Sequence, residues 1–129
     1  MGKLTYEQIA VTTTGGAGAA TGSATGDIVF RGKLHAVYVD YHASAPATTD
    51  VTISIAAPVS ATLLTLTDTN TDGWYLPRAD THDETGAARL YAAAGENVAD
   101  EFPTGGKITI DVAGANALTD CVVCHFFVE

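Results

Sequence analysis

Three short patterns in this chain hold residue types that carry chemistry in other proteins. The first is Cys121-Val-Val-Cys124-His125, the spacing of a c-type haem attachment, in which two thiols bond the vinyl groups and the histidine ligates iron. That chemistry needs both sulfurs on one side of the chain, because they bond the same macrocycle. Residues 120–128 are instead β-branched and aromatic, so they read as a strand, on which positions three apart project from opposite faces. Val122, Cys124, Phe126 and Val128 then share one face, and Cys121, Val123 and Phe127 the other. Zinc is disfavoured as well, because a second ligand pair is missing. Two buried small hydrophobes is the reading that remains.

The second pattern, Asp68-Thr-Asn70-Thr-Asp72-Gly73, matches the opening of a calcium loop, whose alternate oxygens converge on the ion while glycine permits a sharp turn. Its twelfth position is Ala79, which offers no bidentate carboxylate. Asn, Asp and Gly are also what a hairpin turn demands, and the turn is the better reading. Calcium at Asp68, Asn70 and Asp72 would need ligands borrowed from elsewhere. The third pattern is His82-Asp83-Glu84, with His35 and His42 on another stretch. Hydrolysis needs a nucleophile beside a base, or spaced histidine ligands, and neither is visible. No catalytic residue is assigned, no cofactor is implied, and a non-enzyme is expected. His35 reads as a half-buried strand residue satisfied by a neighbour.

The elements that position these residues are strands. Residues 33–77 contain four β-branched or aromatic runs bounded by Pro, Gly, Asn or Asp, including a break at Pro58, which is a meander rather than helices. Residues 33–42 are apolar on both faces and read as a central strand, preceded by a short strand at 27–30 and a turn or bulge at Gly32. Residues 50–56 alternate, with Val51, Ile53 and Ile55 inward, and 107–112 repeat the pattern with Ile108, Ile110 and Val112. Residues 61–67 and an extended edge at 97–103 complete the set. A single helical turn is expected within 87–94, ended by Gly95. Residues 1–26 read as an N-terminal strand followed by a flexible Gly/Ala-rich arm or loop over 14–26, which has no large side chain to bury. Residues 27–129 read as the folded domain. About eight strands without strand–helix alternation predict an all-β, antiparallel β-sandwich, jelly-roll-like, with a closed barrel the nearest competitor.

At 129 residues the chain suits one domain that buries roughly two thirds of its unfolded surface. Its net charge of -9 comes with six scattered basic residues, so there is no positive surface to displace counterions from a phosphate backbone. Nucleic acid and anionic membranes are therefore disfavoured as partners. The opening residues lack a charged segment followed by an apolar core, so no secretory signal is expected, and no run approaches membrane-spanning length.

Three runs carry a resemblance: Ala36-Val-Tyr-Val-Asp-Tyr-His-Ala-Ser-Ala-Pro-Ala-Thr-Thr-Asp-Val-Thr-Ile53, Asn70-Thr-Asp-Gly-Trp-Tyr-Leu-Pro-Arg78, and Ala117-Leu-Thr-Asp120 with Phe127-Val-Glu129. They resemble a family of small structural proteins of tailed bacteriophages, commonly encoded near the major capsid protein. The resemblance implies a virion component made in the host cytoplasm, and for this size and acidity a decoration (cement) protein on the outer capsid surface. Its implied partners are the major capsid protein and further copies of itself in a homotrimer. Trp74, Tyr75 and Phe127 are the interface candidates. A neck or tail component and a calcium- or carbohydrate-binding adhesion module are the competing functions, and the latter would place Trp74, Tyr75 and Tyr91 on an exposed aromatic platform.

Overall fold

The computed structural model describes residues 4–55 and 60–129; the break expected at Pro58 lies outside the described residues. Eleven strands follow one another: β1 (Thr5–Val11), β2 (Ala20–Thr25), β3 (Phe30–Tyr41), β4 (Asp50–Ile55), β5 (Ala61–Leu66), β6 (Gly73–Tyr75), β7 (Arg78–Asp80), β8 (Ala99–Glu101), β9 (Pro103–Gly106), β10 (Ile108–Ala115) and β11 (Val122–Val128). No helix occurs among the described residues. The protein is an all-β, antiparallel β-sandwich. Its first sheet has the order β1-β11-β3-β6, with β9 paired to the start of β3, and its second the order β2-β10-β4-β5. β7 and β8 pair separately.

The alternation of the long strands builds the core. β4 buries Val51, Ile53 and Ile55, β10 buries Ile108, Ile110, Val112 and Ala115, and β11 buries Val122, Cys124, Phe126 and Val128. Across from the second sheet, β1 adds Ile9 and Val11, and β3 adds Val37, Val39 and Tyr41. Leu34 also faces inward, although it is three residues from Val37, because the pairing of β3 with β11 shifts register between Phe127 and Val128. A bulge of this kind adds one residue to β3 and restores the inward phase. Gly32 lies inside β3 rather than in a turn before it. Its φ of 129° and the adjacent Glu129 carbonyl leave no room for a side chain there.

Two expectations need correction. Residues 14–26 are not a free arm: Ala20–Thr25 forms β2, paired along Thr25↔Thr109 to Gly22↔Val112 with β10, and Ala20 is fully buried. The absence of large side chains is what lets β2 lie close to the end of β1. A Cβ on Gly22 would run into the Thr12 carbonyl oxygen and meet Val11 Cγ1 at 3.0 Å. Small residues here serve close approach rather than mobility. The helical turn expected within 87–94 is also missing. That stretch carries isolated bridges His82↔Ala88 and Leu90↔Asn97, and the chain reverses where Gly95 N–H donates to the Ala92 carbonyl (2.8 Å) and Ala94 adopts a φ of 57°. Alanine's helix preference of a few tenths of a kcal/mol per residue is too small to outweigh that pairing.

Gly22→Ala should therefore destabilise the protein by about 1–3 kcal/mol, the usual effect of overpacking a closed contact. Deleting residues 14–26 should go further and abolish cooperative unfolding, because Ile110 and Val112 would lose the strand that borders them. Urea unfolding followed by circular dichroism checks both outcomes.

Candidate functional site

The outer face of the first sheet carries a cluster of five rings, of which Tyr6 and Trp74 are exposed. Residues directly opposite each other in antiparallel strands place their side chains on the same face. The register gives one row of Tyr6, Phe127 and Ala36, a second of Gln8, His125, Tyr38 and Trp74, and a third of Ala10, Val123 and Asp40. The rings of the first two rows form a closed circuit. Centroid distances run 5.2 Å from Tyr6 to Phe127, 5.7 Å from Phe127 to Trp74, 5.1 Å from Trp74 to Tyr38, 6.0 Å from Tyr38 to His125 and 5.9 Å from His125 back to Tyr6. Together they line a shallow depression of about 270 Å³. The Tyr6 hydroxyl lies 2.6 Å from His125 Nδ1, which ties the edge strand's ring to the middle of the cluster.

Aromatic pairs at these separations contribute roughly 0.5–1.5 kcal/mol each beyond their buried area, so the rings hold one another in place before anything binds. Trp74 nevertheless keeps 60% of its surface in solvent and Tyr6 47%. Contiguous apolar surface of this kind marks interaction sites more often than isolated exposed residues do.

Of the three interface candidates, Trp74 and Phe127 belong to this face. Tyr75 does not, because it alternates with Trp74 on β6 and packs against the core from the opposite side. Trp74 is not a core residue either: it points from the edge strand β6 to the outer face of the first sheet, which no second layer covers among the described residues. Tyr6, Tyr38 and His125 were not singled out from sequence. Only His125 had a signal, in the outward phase of the last strand, where Val123, His125 and Phe127 alternate with the core set.

The remaining candidates resolve into structural roles. Asp72 Oδ1 accepts the Tyr41 backbone N–H (2.7 Å), Asn70 Nδ2 donates to the Ala45 carbonyl (2.8 Å), and Asp68 occupies a φ of 52° in the turn. Residues 67–72 join β5 of the second sheet to β6 of the first, a crossover rather than the hairpin turn expected, and these bonds tie it to the connection between β3 and β4. His82 is exposed. Its neighbour Asp83 is held below the usual carboxylate range by the Thr85 hydroxyl first and then by the N–H groups of Thr85 and Ala87, as suits a turn former and not a general base. Residues 82–97 are exposed throughout, with Leu90 and Tyr91 at 41% and 76%, so residues 78–101 form an arm standing off the sandwich on the β7–β8 pair. Tyr91 is thus on the arm and takes no part in the ring cluster. Near the arm's base, His35 Nδ1 lies 3.2 Å from Glu101 Oε2 and 3.8 Å from Glu129 Oε2, the one grouping of potential metal ligands among the described residues.

Cys121 and Cys124 are both free and both in the core, not on opposite faces. Strand geometry begins only at Val122, and Asp120 turns the chain with a φ of 50° so that Cys121 also enters the interior. Burial pushes the Cys124 thiol up to about 12 and also raises Tyr41, whose enclosed hydroxyl lacks a hydrogen-bond partner. No protein family, curated protein or solved structure matches this chain, so the function is argued from the geometry.

The native protein should leave both thiols unreactive towards a thiol-specific chromogenic disulfide at pH 8 until denaturant is added, because only the thiolate attacks. Since Cys124 is raised above its ordinary value of 9.0 and Tyr41 above 10.0, the unfolded state loses these protons first. These two groups add no pH dependence between pH 7 and 9, and above pH 9 stability should fall. Thermal unfolding across pH 7–11 measures this, and Tyr41→Phe should blunt the fall while remaining neutral or slightly stabilising at pH 7.

Proposed function

We propose that this chain is a non-enzymatic virion structural protein, a decoration (cement) protein that binds the outer capsid surface of a tailed bacteriophage and stabilises the shell. The observation that carries the reading is the five-ring face: a preformed, solvent-facing aromatic surface on a rigid sheet, in a protein whose net charge of -9 would otherwise keep its copies apart. A protein that coats a lattice has to be soluble when free and adhesive at one surface, and this distribution meets both needs. The runs behind the phage resemblance supply Tyr38, Trp74 and Phe127, three of the five rings. Strand order adds support. Leaving out the short β7, β8 and β9, β10 is seventh and β11 eighth, so the sheets read 1-8-3-6 and 2-7-4-5, the order of two Greek keys folded as a jelly roll. Viral capsid domains use this architecture, as do lectins.

That second association and the 60% exposure of Trp74 favour a carbohydrate-binding reading next. Sugar stacking wants ring faces lying in one plane with polar groups beside them. Trp74 is tilted by 59° from Tyr38 and by 38° from Phe127, and the Tyr6 hydroxyl and His125 Nδ1 within the cluster are bonded to each other. A tilted circuit around a depression suits an inserted apolar side chain better. The implied self-association as a homotrimer would match threefold positions of an icosahedral shell.

Shells assembled from the major capsid protein of the same virus should retain this protein on sedimentation, at low salt and at roughly 1 M salt alike, since apolar burial is not screened. Trp74→Ala and Phe127→Ala should each weaken retention about tenfold or more. Trp74→Ala should meanwhile cost about 1–3 kcal/mol of folding stability, from its two ring pairs with Tyr38 and Phe127, and leave the circular dichroism of the native protein unchanged. Shells that never retain the protein, or particles that carry it only at the neck or tail, would overturn the decoration reading. Tight binding of a glycan array, abolished by Trp74→Ala, would favour the lectin reading.

A further inference from the structure

We propose that His35, Glu101 and Glu129 form a divalent transition-metal site, best suited to zinc, that fastens the exposed arm to the sandwich. The three residues come from β3, from β8 at the arm's base, and from the chain just after β11, so no sequence spacing announces them. Their ligand atoms nevertheless lie within 4.8 Å of one another. His35 Nδ1 is 3.2 Å from Glu101 Oε2 and 3.8 Å from Glu129 Oε2. Four ligands at about 2.0–2.1 Å around a tetrahedral zinc stand roughly 3.3 Å apart, so two sides of the triangle are close to the needed length and the third closes by side-chain rotation. An imidazole with two carboxylates, leaving a fourth position for water, suits zinc better than calcium or magnesium, which favour oxygen alone.

Two further observations point to a cation here. Both carboxylates converge on a single imidazole nitrogen, and neither has a Lys or Arg partner among the described residues. The nearest cations are engaged elsewhere: Lys33 Nζ pairs with Asp100 (3.1 Å), and Arg78 donates to the His35 and Pro77 carbonyls. The backbone beneath the site is also held in place. Lys33 and Glu129 exchange both N–H···O bonds (2.8 and 2.9 Å), and the Phe102 carbonyl accepts from Leu34 N–H (2.9 Å). The ligands' main chains are thus preset, and only side-chain order remains to be gained on binding.

The consequence lies in the arm. Residues 82–97 bury nothing, and the Lys33–Asp100 pair at the arm's base is more than half exposed on both sides, so its contribution is small. A metal joining Glu101 to His35 and Glu129 would be the strongest tie between β8 and the first sheet, and would fix the direction in which Leu90 and Tyr91 project.

Titration of the chelator-treated full chain with zinc chloride by calorimetry tests this. One equivalent should bind and raise the melting temperature, with calcium and magnesium without effect at the same concentrations. His35→Asn and the isosteric Glu101→Gln should each weaken zinc at least about tenfold, while His82→Asn, on the exposed arm, should leave it unchanged. Amide exchange of residues 78–101 should slow on adding zinc in the wild type but not in Glu101→Gln, whose fold is checked by its unaltered circular dichroism. No binding at millimolar zinc, or binding that both ligand variants retain, would overturn the site.

Discussion

The pairing of β11 between β1 and β3 is the constraint on which the rest of this structure depends. A strand hydrogen-bonded on both edges cannot slip by one residue without turning its whole inward set outward, and here that set is Val122, Cys124, Phe126 and Val128, all buried. The same register fixes the opposite face. It sets Phe127 beside Tyr6 and His125 beside Tyr38, which in turn is paired with Trp74. Core and surface cluster are two consequences of one register, so the rings cannot be rearranged without cost to the interior. This gives the surface its rigidity, and rigidity lowers the entropic cost of binding.

The strands that read clearly in the sequence are those with one wet and one dry face. β4 and β10 alternate, and their inward residues are the ones the alternation names. Three parts were less legible, each for its own reason. The Gly/Ala-rich segment has no apolar periodicity, because its place in the fold requires the absence of side chains rather than their presence: Gly22 sits where the Thr12 carbonyl leaves no space. Trp74 is a residue type usually found well buried, but its burial depends on whether a second layer covers the outer face of its sheet, and that relation is not written locally. His35, Glu101 and Glu129 share no spacing at all, since β3, β8 and the residue after β11 bring them together. The apolar outward phase of the last strand did announce a central or interfacial strand. It did not show which other strands would contribute rings.

The two sides of the molecule divide the functional burden. The sandwich presents a fixed aromatic face, while residues 78–101 extend from it as an arm with no core of its own, tipped by Leu90 and Tyr91. On the proposed coat reading, the face would provide area for one contact and the arm would reach a neighbour. Acidic charge elsewhere discourages contacts that do not use these surfaces. The groups with raised pKa, Cys124 and Tyr41, lie in the core and away from the exposed face.

The chain contains a single tryptophan, and it belongs to the proposed contact, on the sheet's edge strand β6. Steady-state fluorescence of the free protein should therefore report a solvent-exposed indole, with red-shifted emission and ready quenching by iodide. Addition of capsid shells prepared from the matching major capsid protein should shift the emission to the blue and suppress the quenching in proportion to the protein bound. Bound protein whose Trp74 emission and quenching stay those of the free chain would contradict the claim that the aromatic sheet face is the docking surface.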